Sequence, residues 1–385
     1  MADEISVLIV DDSALMRNLI GRMVEGAPGL AVADKAMNGV FALQKIPRVC
    51  PDVIILDLEM PEMNGIEFLQ ERKKRGIDIP VVILSSIASS GAKITMEALS
   101  LGASDFVQKP SGSISEDLHT VRDTVVEKLL AYGGQYRRRK GKKVLAPGEY
   151  PPKAEASHTN PEIAAILRGG ASAPAGRPPK PPAPIRRPGR TELIAIGIST
   201  GGPDALRVVF SQLDADLQAP IVVVQHMPPG FTSEFAKSLD RICPLDVKEA
   251  EDGDAIQPGR ILIAQGNKHL EVERKAGGPA VYGRVLLSDA PLVSGHRPSA
   301  DVLFASVAMQ YKNNALGVIM TGMGRDGAQQ LGNIYKEGGI TLGQDEATAV
   351  VYGMPRVAFE QGHVMEQVPL DKMARRICDI AKTNR

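Results

Sequence analysis

Leu193-Ile-Ala-Ile-Gly-Ile-Ser199-Thr-Gly-Gly-Pro203 is the stretch whose reading decides the fold. Its apolar run is continuous rather than alternating, as in a strand covered on both faces. The run stops at a glycine, and a helix-starting Pro203-Asp204 follows two further glycines. The spacing Gly197-x-Ser199-x-Gly201 fits a strand-to-helix turn that displays a serine oxygen at the top of a sheet. It equally fits a tight turn in which Ser199 caps the following helix. The choice between chemistry and capping rests on the rest of the chain.

Downstream, apolar runs at Ile221–Val224, Ile261–Ala264, Val281–Leu287, Ala315–Met320 and Ile340–Gly343 alternate with helical stretches near Asp204–Gln212, Thr232–Leu239, Ala300–Met309, Ala328–Lys336 and Leu370–Ile380. Upstream, runs at Ser6–Val10, Val53–Leu58, Val81–Leu84 and Asp105–Gln108, with a weaker one near Ala31–Ala33, alternate with helical periodicity in the same way. The last helix of this half shows a capping-box spacing, Ser113 to Glu116, ahead of Ile114, Leu118, Val121, Val125 and Leu129. Both halves therefore read as α/β, each a doubly wound, largely parallel sheet. Between them, eleven of the 28 prolines fall from Pro147 to Pro188, and Arg137-Arg138-Arg139-Lys140 stands at the start. That composition predicts a stiff, solvated linker with a basic end. The expected division is a first domain over 1–133, a linker over 134–190 and a second domain over 191–385.

The totals exclude several classes. With 45 basic and 45 acidic residues the net charge is zero, so no global field draws the chain to nucleic acid or a membrane surface. A DNA-binding output would need a small helical module, which the α/β alternation of the second half does not provide. The three cysteines, Cys50, Cys243 and Cys378, form neither a metal pattern nor a disulfide framework. No apolar run is long enough to cross a bilayer, and the first residues lack the basic and apolar regions of a signal peptide. A cytoplasmic protein without membrane insertion is expected.

In the first half, Asp11-Asp12 follows the first strand and Asp57 ends the third. Parallel strand ends gather on one edge, where three carboxylates converge and call for a hard divalent cation, Mg²⁺. Ser85 and Lys109, at the ends of the fourth and fifth strands, add a hydroxyl and an ammonium. Together these groups suit a phosphoryl group carried on a carboxylate. In the second half Ser199, His226 and Asp326 each follow an apolar strand run. A serine needs a base, and the base needs an acid group to hold its tautomer. His269 and Asp345 compete on topology, His363 is a further histidine, and His296 lies in a loop suited to substrate contact; His158 falls in the linker. Glycines around Asp326, in Thr321-Gly-Met-Gly-Arg-Asp326-Gly, would let backbone N–H groups face an oxyanion. The order Ser, His, Asp differs from the Ser, Asp, His order of α/β-hydrolases.

Val-Asp11-Asp12-Ser, Asp57-Leu-Glu-Met-Pro-Glu-Met-Asn-Gly, Leu-Ser85-Ser and Val-Gln-Lys109-Pro resemble the signature of response-regulator receiver domains. The resemblance implies phosphorylation of Asp57 by a histidine kinase, Mg²⁺ bound directly by Asp12 and Asp57 and mainly through water by Asp11, with the Glu59 carbonyl contributing, and phosphate reading by Ser85 and Lys109. It also implies an aromatic switch at Phe106 and a cis Lys109–Pro110 bond. The segments Ile-Gly-Ile-Ser199-Thr-Gly-Gly-Pro, Val-Gln-His226-Met-Pro-Pro-Gly-Phe-Thr, Ser-Gly-His296-Arg-Pro-Ser-Ala-Asp-Val-Leu-Phe and Met-Thr-Gly-Met323-Gly-Arg-Asp326-Gly-Ala resemble the chemotaxis receptor methylesterases, which join a receiver to this output domain. That resemblance makes Ser199 the nucleophile, His226 the general base and acid, and Asp326 its orienting partner. Met323 would supply an oxyanion N–H, with Thr200 and His296 as further contacts. The implied reaction, without any cofactor, hydrolyses glutamate methyl esters, and deamidates glutamines, on the cytoplasmic helices of chemoreceptors. The unphosphorylated receiver is expected to restrain the enzyme. The competing expectation is a receiver-controlled module that binds without catalysis.

Overall fold

The computed structural model describes residues 4–86, 89–109, 115–144, 183–274 and 283–383. These fall into two compact units, which are taken in turn. The first contains β1 (Ile5–Val10), α1 (Ala14–Glu25), β2 (Leu30–Ala36), α2 (Gly39–Val49), β3 (Val53–Asp57), α3 (Gly65–Lys74), β4 (Val81–Ser85), α4 (Ser89–Ser100), β5 (Asp105–Gln108) and α5 (Ser115–Arg139). All its strand pairs are parallel, in the order β2-β1-β3-β4-β5. Every residue of β3 and β4 is buried, as the continuous apolar runs require of strands covered by helices on both faces. The strand order reverses between β1 and β3, so the loop after β1 and the end of β3 flank the crevice where such sheets bind ligands.

The second unit contains β6 (Leu193–Ile198), α6 (Gly202–Phe210), β7 (Ile221–Gln225), α7 (Thr232–Asp240), β8 (Asp246–Glu249), β9 (Ala255–Ile256), β10 (Arg260–Ile263), β11 (His269–Arg274), β12 (Gly283–Ser288), α8 (Ala300–Tyr311), β13 (Ala315–Ile319), α9 (Ala328–Lys336), β14 (Ile340–Gln344), α10 (Met354–Glu360), β15 (Glu366–Val368) and α11 (Leu370–Thr383). Seven strands form a parallel sheet in the order β15-β14-β13-β6-β7-β10-β8. The chain enters in the middle at β6, builds one side, then returns to build the other from β13. The switch point therefore lies between β6 and β13, beside Ser199. The core includes the fully buried Phe304, Tyr311 and Leu331 on α8 and α9.

Three sequence expectations need adjustment. The run expected over Val281–Leu287 does not join the parallel sheet. Its described part is β12, which pairs antiparallel with β11 and β9 in a separate three-stranded sheet. The expected linker start at 134 falls inside α5, which runs on to Arg139. Arg137 is buried there, donating to the Asp52 carboxylate at 3.1 Å, and Lys142 meets the same carboxylate at 2.9 Å. Arg139 and Lys140 pair with Asp78, so much of the basic run is partnered rather than solvated. Toward the other end, the Ile185 N–H donates to the Lys336 carbonyl and the Gly189 N–H to Asn313, which ties residues before 191 to the second unit. The proline-rich stretch over 145–182, the Ser113–Glu116 capping spacing and the Lys109–Pro110 bond lie outside the described residues.

Candidate active site and acidic cluster

Two ladder bonds continue past the end of β6. The Ser199 N–H donates to the Thr321 carbonyl at 2.9 Å, and the His226 N–H donates to the Ile198 carbonyl at 3.1 Å. Neighbouring strand ends thus hold the serine and the histidine side by side. Gly201, at φ +84°, makes the sharp turn into α6, and a Cβ there would stand 2.8 Å from the Val350 side chain. No side-chain cap is made at the start of α6, which removes the capping reading of Ser199.

Ser199 Oγ lies 3.0 Å from His226 Nδ1, and His226 Nε2 lies 2.7 Å from Asp326 Oδ2. The carboxylate accepts the Nε2 proton, which leaves the Nδ1 lone pair facing the serine hydroxyl. This is the tautomer a base requires. Asp326 is buried and accepts three more hydrogen bonds, from Ser299 Oγ at 2.6 Å, the Ala300 N–H at 2.6 Å and the Asp301 N–H at 3.1 Å. Two of these donors open α8, whose N-terminal dipole also favours an anion. Burial alone would push the Asp326 carboxyl up, but the His226 hydrogen bond and charge, with Ser299 and Ala300, outweigh it and hold the group at about 2.

His296 stacks on His226 with ring centroids 3.8 Å apart and planes 15° from parallel. Burial first, and then the charge of His226, lower its pKa to about 4, against the pull of Asp326. It is neutral near pH 7 and places no cation against the His226 ring. The loop after β13 closes over the serine: a Cβ on Gly322 would stand 2.8 Å from the Ser199 Cβ, so only glycine fits. Among the described residues the N–H of Met323, next in this loop, has no hydrogen-bond acceptor. Thr200 is buried, its carbonyl accepting from the Thr321 hydroxyl.

The rivals are engaged elsewhere. His269 lies in the three-stranded sheet with Nε2 3.0 Å from the Pro291 carbonyl, and the Asp345 carboxylate accepts from Thr348. His363 Nδ1 lies 2.8 Å from the Ala328 carbonyl. Ser299 is the residue that sequence reading missed. A Ser-Ala-Asp start before an apolar helix marks it as an N-cap, but not as a donor to the acid.

In the first unit, candidate ligand atoms of Asp11, Asp12 and Asp57 lie within 4.8 Å of one another. Lys109 Nζ is 2.6 Å from Asp57 Oδ2 and 3.6 Å from Asp11 Oδ2. Burial and the neighbouring Asp57 raise the Asp11 pKa, and its Oδ2 is buried with no hydrogen-bond partner. A buried carboxylate oxygen with a Lys109 ion pair at 3.6 Å but no hydrogen bond, set among hard oxygen donors, fits a bound Mg²⁺. The pocket beside Asp57 is lined by Glu59, Ser85 and Lys109. The Glu59 N–H donates to Asp57 at 3.3 Å. Ser85 reaches this pocket while its hydroxyl is shared with Thr95 at 2.5 Å, and Phe106 is buried on β5.

Comparison with known proteins matches residues 194–377 to the CheB methylesterase family and residues 7–121 to the response regulator receiver domain. A protein of Treponema denticola named protein-glutamate methylesterase/protein-glutamine glutaminase is 60% identical over 97% of this chain and 98% of its own length. A Treponema pallidum protein of the same name is 53% identical over 97% of this chain and 96% of its own length. Among solved structures, the Thermotoga maritima CheB methylesterase catalytic domain matches 49% of this chain and 98% of its own, at 38% identity and a TM-score of 0.47.

Proposed function

The chain belongs to the CheB methylesterase family with a response regulator receiver ahead of its catalytic domain, and on that premise we propose that Ser199, His226 and Asp326 carry out its hydrolysis of glutamate methyl esters. The protein is a chemotaxis methylesterase and glutaminase. The observation that carries the residue assignment is the unbroken chain of contacts from Ser199 Oγ through both nitrogens of His226 to a carboxylate with four donors.

His226 Nδ1 takes the Ser199 proton as Oγ attacks the ester carbonyl of a methylated glutamate on a chemoreceptor. The oxyanion accepts from the Met323 N–H, with Thr200 beside it. Asp326 holds the imidazolium that forms. The same Nδ1 then gives its proton to the departing methanol, or to ammonia when the substrate is glutamine. A glutamyl-serine ester remains. Water, deprotonated by His226, attacks that ester, releases glutamate and restores Ser199. These steps need no cofactor. His296 keeps the His226 ring from rotating and, being neutral, does not oppose its protonation.

The receiver supplies control. Asp11, Asp12 and Asp57 would hold Mg²⁺ together with the Glu59 carbonyl, and the ion would supply positive charge beside a phosphoryl group on Asp57. Lys109 and Ser85 contact the phosphoryl oxygens, and Phe106 reads the change. The phosphodonor is a chemotaxis histidine kinase, and the setting is the cytoplasm; no helix among the described residues is long and apolar enough to cross a membrane. The receiver is read as taking in α5 and Lys142, which holds Asp52, and the catalytic unit as taking in Ile185 and Gly189 ahead of β6. The test is methanol release from methylated chemoreceptors by the full chain, with and without a phosphodonor. Release that rises on phosphorylation supports the reading, and no release under either condition favours a binding module.

A further inference from the structure

Gln225 ends β7, one residue before His226, and is 2% exposed. Its side chain points back across the strand end. Nε2 donates to the Ser199 carbonyl at 3.0 Å and to the His226 carbonyl at 3.1 Å. No other orientation of the carboxamide serves, because turning it over would set Oε1 against two carbonyl oxygens. Oε1 faces the start of α6, where a Cβ on Gly202 would come within 1.8 Å of it. It has no hydrogen-bond partner and faces the N-terminal end of α6, whose dipole favours a partial negative charge. The regular ladder between β6 and β7 has run out here: the Ser199 carbonyl also accepts the Gly202 N–H at 2.8 Å, while the Gln225 amide is the donor that the His226 carbonyl receives.

The consequence reaches the reacting groups through the peptide planes. In a trans peptide the C=O of one residue and the N–H of the next point in opposite directions. Fixing the Ser199 carbonyl therefore fixes the direction of the Thr200 N–H, on the residue after the nucleophile. Fixing the His226 carbonyl holds the backbone that carries the imidazole. The geometry points to Gln225 as a positioning residue: its single amide group clamps the peptide planes that follow Ser199 and His226, and so sets the nucleophile–base distance and the face offered to the oxyanion. Gln225 touches neither substrate nor reacting atoms. The inference rests on the reading of Ser199 as nucleophile and His226 as base.

Two variants of the full chain test it by different routes. Gln225→Met keeps the volume and removes the donor. Gly202→Ala leaves Gln225 intact and drives its amide aside. Misplacement of reacting groups by about an ångström costs on the order of a hundredfold. Each variant should lower kcat for methylated chemoreceptor about 30- to 300-fold, change KM by less than about threefold, and slow labelling of Ser199 by a fluorophosphonate in parallel. The melting temperature should stay close to that of the wild type. A purely structural role would instead lower the melting temperature and leave kcat of the folded fraction unchanged, which would overturn the inference. So would kcat within threefold of wild type in both folded variants, or failure of both to fold. Ser199→Ala, run alongside, separates the two claims. If it is inactive while the clamp variants work normally, only the clamp fails; if it is fully active, the serine reading itself fails.

Discussion

Replacing Asp326 by Asn keeps the shape of the side chain and inverts its hydrogen bonding. Four donors converge on the carboxylate, from His226, Ser299, Ala300 and Asp301. An amide offers one acceptor oxygen, and its NH₂ must face at least one of those donors. If the oxygen stays with Ser299 and the Asp301 N–H, the NH₂ faces His226 Nε2 and the Ala300 N–H. The imidazole must then carry its proton on Nδ1, the atom that has to accept the Ser199 proton. The depression of the Asp326 pKa from 3.8 to about 2 corresponds to roughly 2 kcal/mol of carboxylate stabilisation, which the imidazolium in the transition state would also forfeit. With the wrong tautomer added, kcat should fall about 10⁴-fold, or roughly 5 kcal/mol of barrier, with KM little changed. The assay is methanol release from methylated chemoreceptors, with thermal unfolding to confirm that the variant is folded. Asp345→Asn is the control. Its carboxylate is held by Thr348, and it should keep kcat within about threefold. Asp326→Asn activity within tenfold of wild type, or a larger loss in Asp345→Asn, would refute the assignment.

Other consequences follow from the same contacts. His296 is held at about 4 when folded and has an ordinary value of 6.5, so below 6.5 the unfolded chain takes up a proton that the native one refuses. Stability should therefore fall as pH drops through this window, by roughly 2 kcal/mol between pH 7 and 4.5, and His296→Gln should lose that dependence in urea melts of the catalytic unit. Equal acid losses in both proteins would count against it. Asp326 gives a separate loss, as pH falls from about 4 to 2. In the receiver, Asp11→Asn removes a like charge beside Asp57 and should raise metal-free stability, while abolishing the gain that Mg²⁺ gives the wild type, about 2.7 kcal/mol at a hundred times its Kd. A Mg²⁺-dependent rise in melting temperature that survives the substitution would exclude Asp11 as a ligand. Asp52→Ala strands buried Arg137 and should destabilise the receiver unit by about 3 kcal/mol in thermal unfolding. An effect below 1 kcal/mol would mean that the pairing is idle.

The central strands of both sheets were legible because burial on both faces leaves an uninterrupted apolar run, as in β3, β6 and β7. The edges were not. β8 (Asp-Val-Lys-Glu) and β15 (Glu-Gln-Val) are short and polar because an edge strand faces water on one side. β11 did carry a signal, since Leu270 and Val272 alternate with Glu271 and Glu273, the period of a half-exposed antiparallel strand. Ser199, His226 and Asp326 could be placed together because each follows a strand of one parallel sheet. Ser299 and Gln225 could not. An N-cap serine and a strand-end glutamine are ordinary at their positions, and only the fold reveals what they hold. Arg137 was hidden for another reason: its partner Asp52 lies 85 residues away, so the basic run looked solvated beside the prolines.

The central claim, that Ser199 opens the ester, is tested most directly by methanol release from methylated chemoreceptors by the full chain and its Ser199→Ala variant under identical phosphorylation. The structure leaves no second hydroxyl in contact with His226 Nδ1 among the described residues. Release should fall to the rate without enzyme in the folded variant, whereas release at the wild-type rate would contradict the serine mechanism.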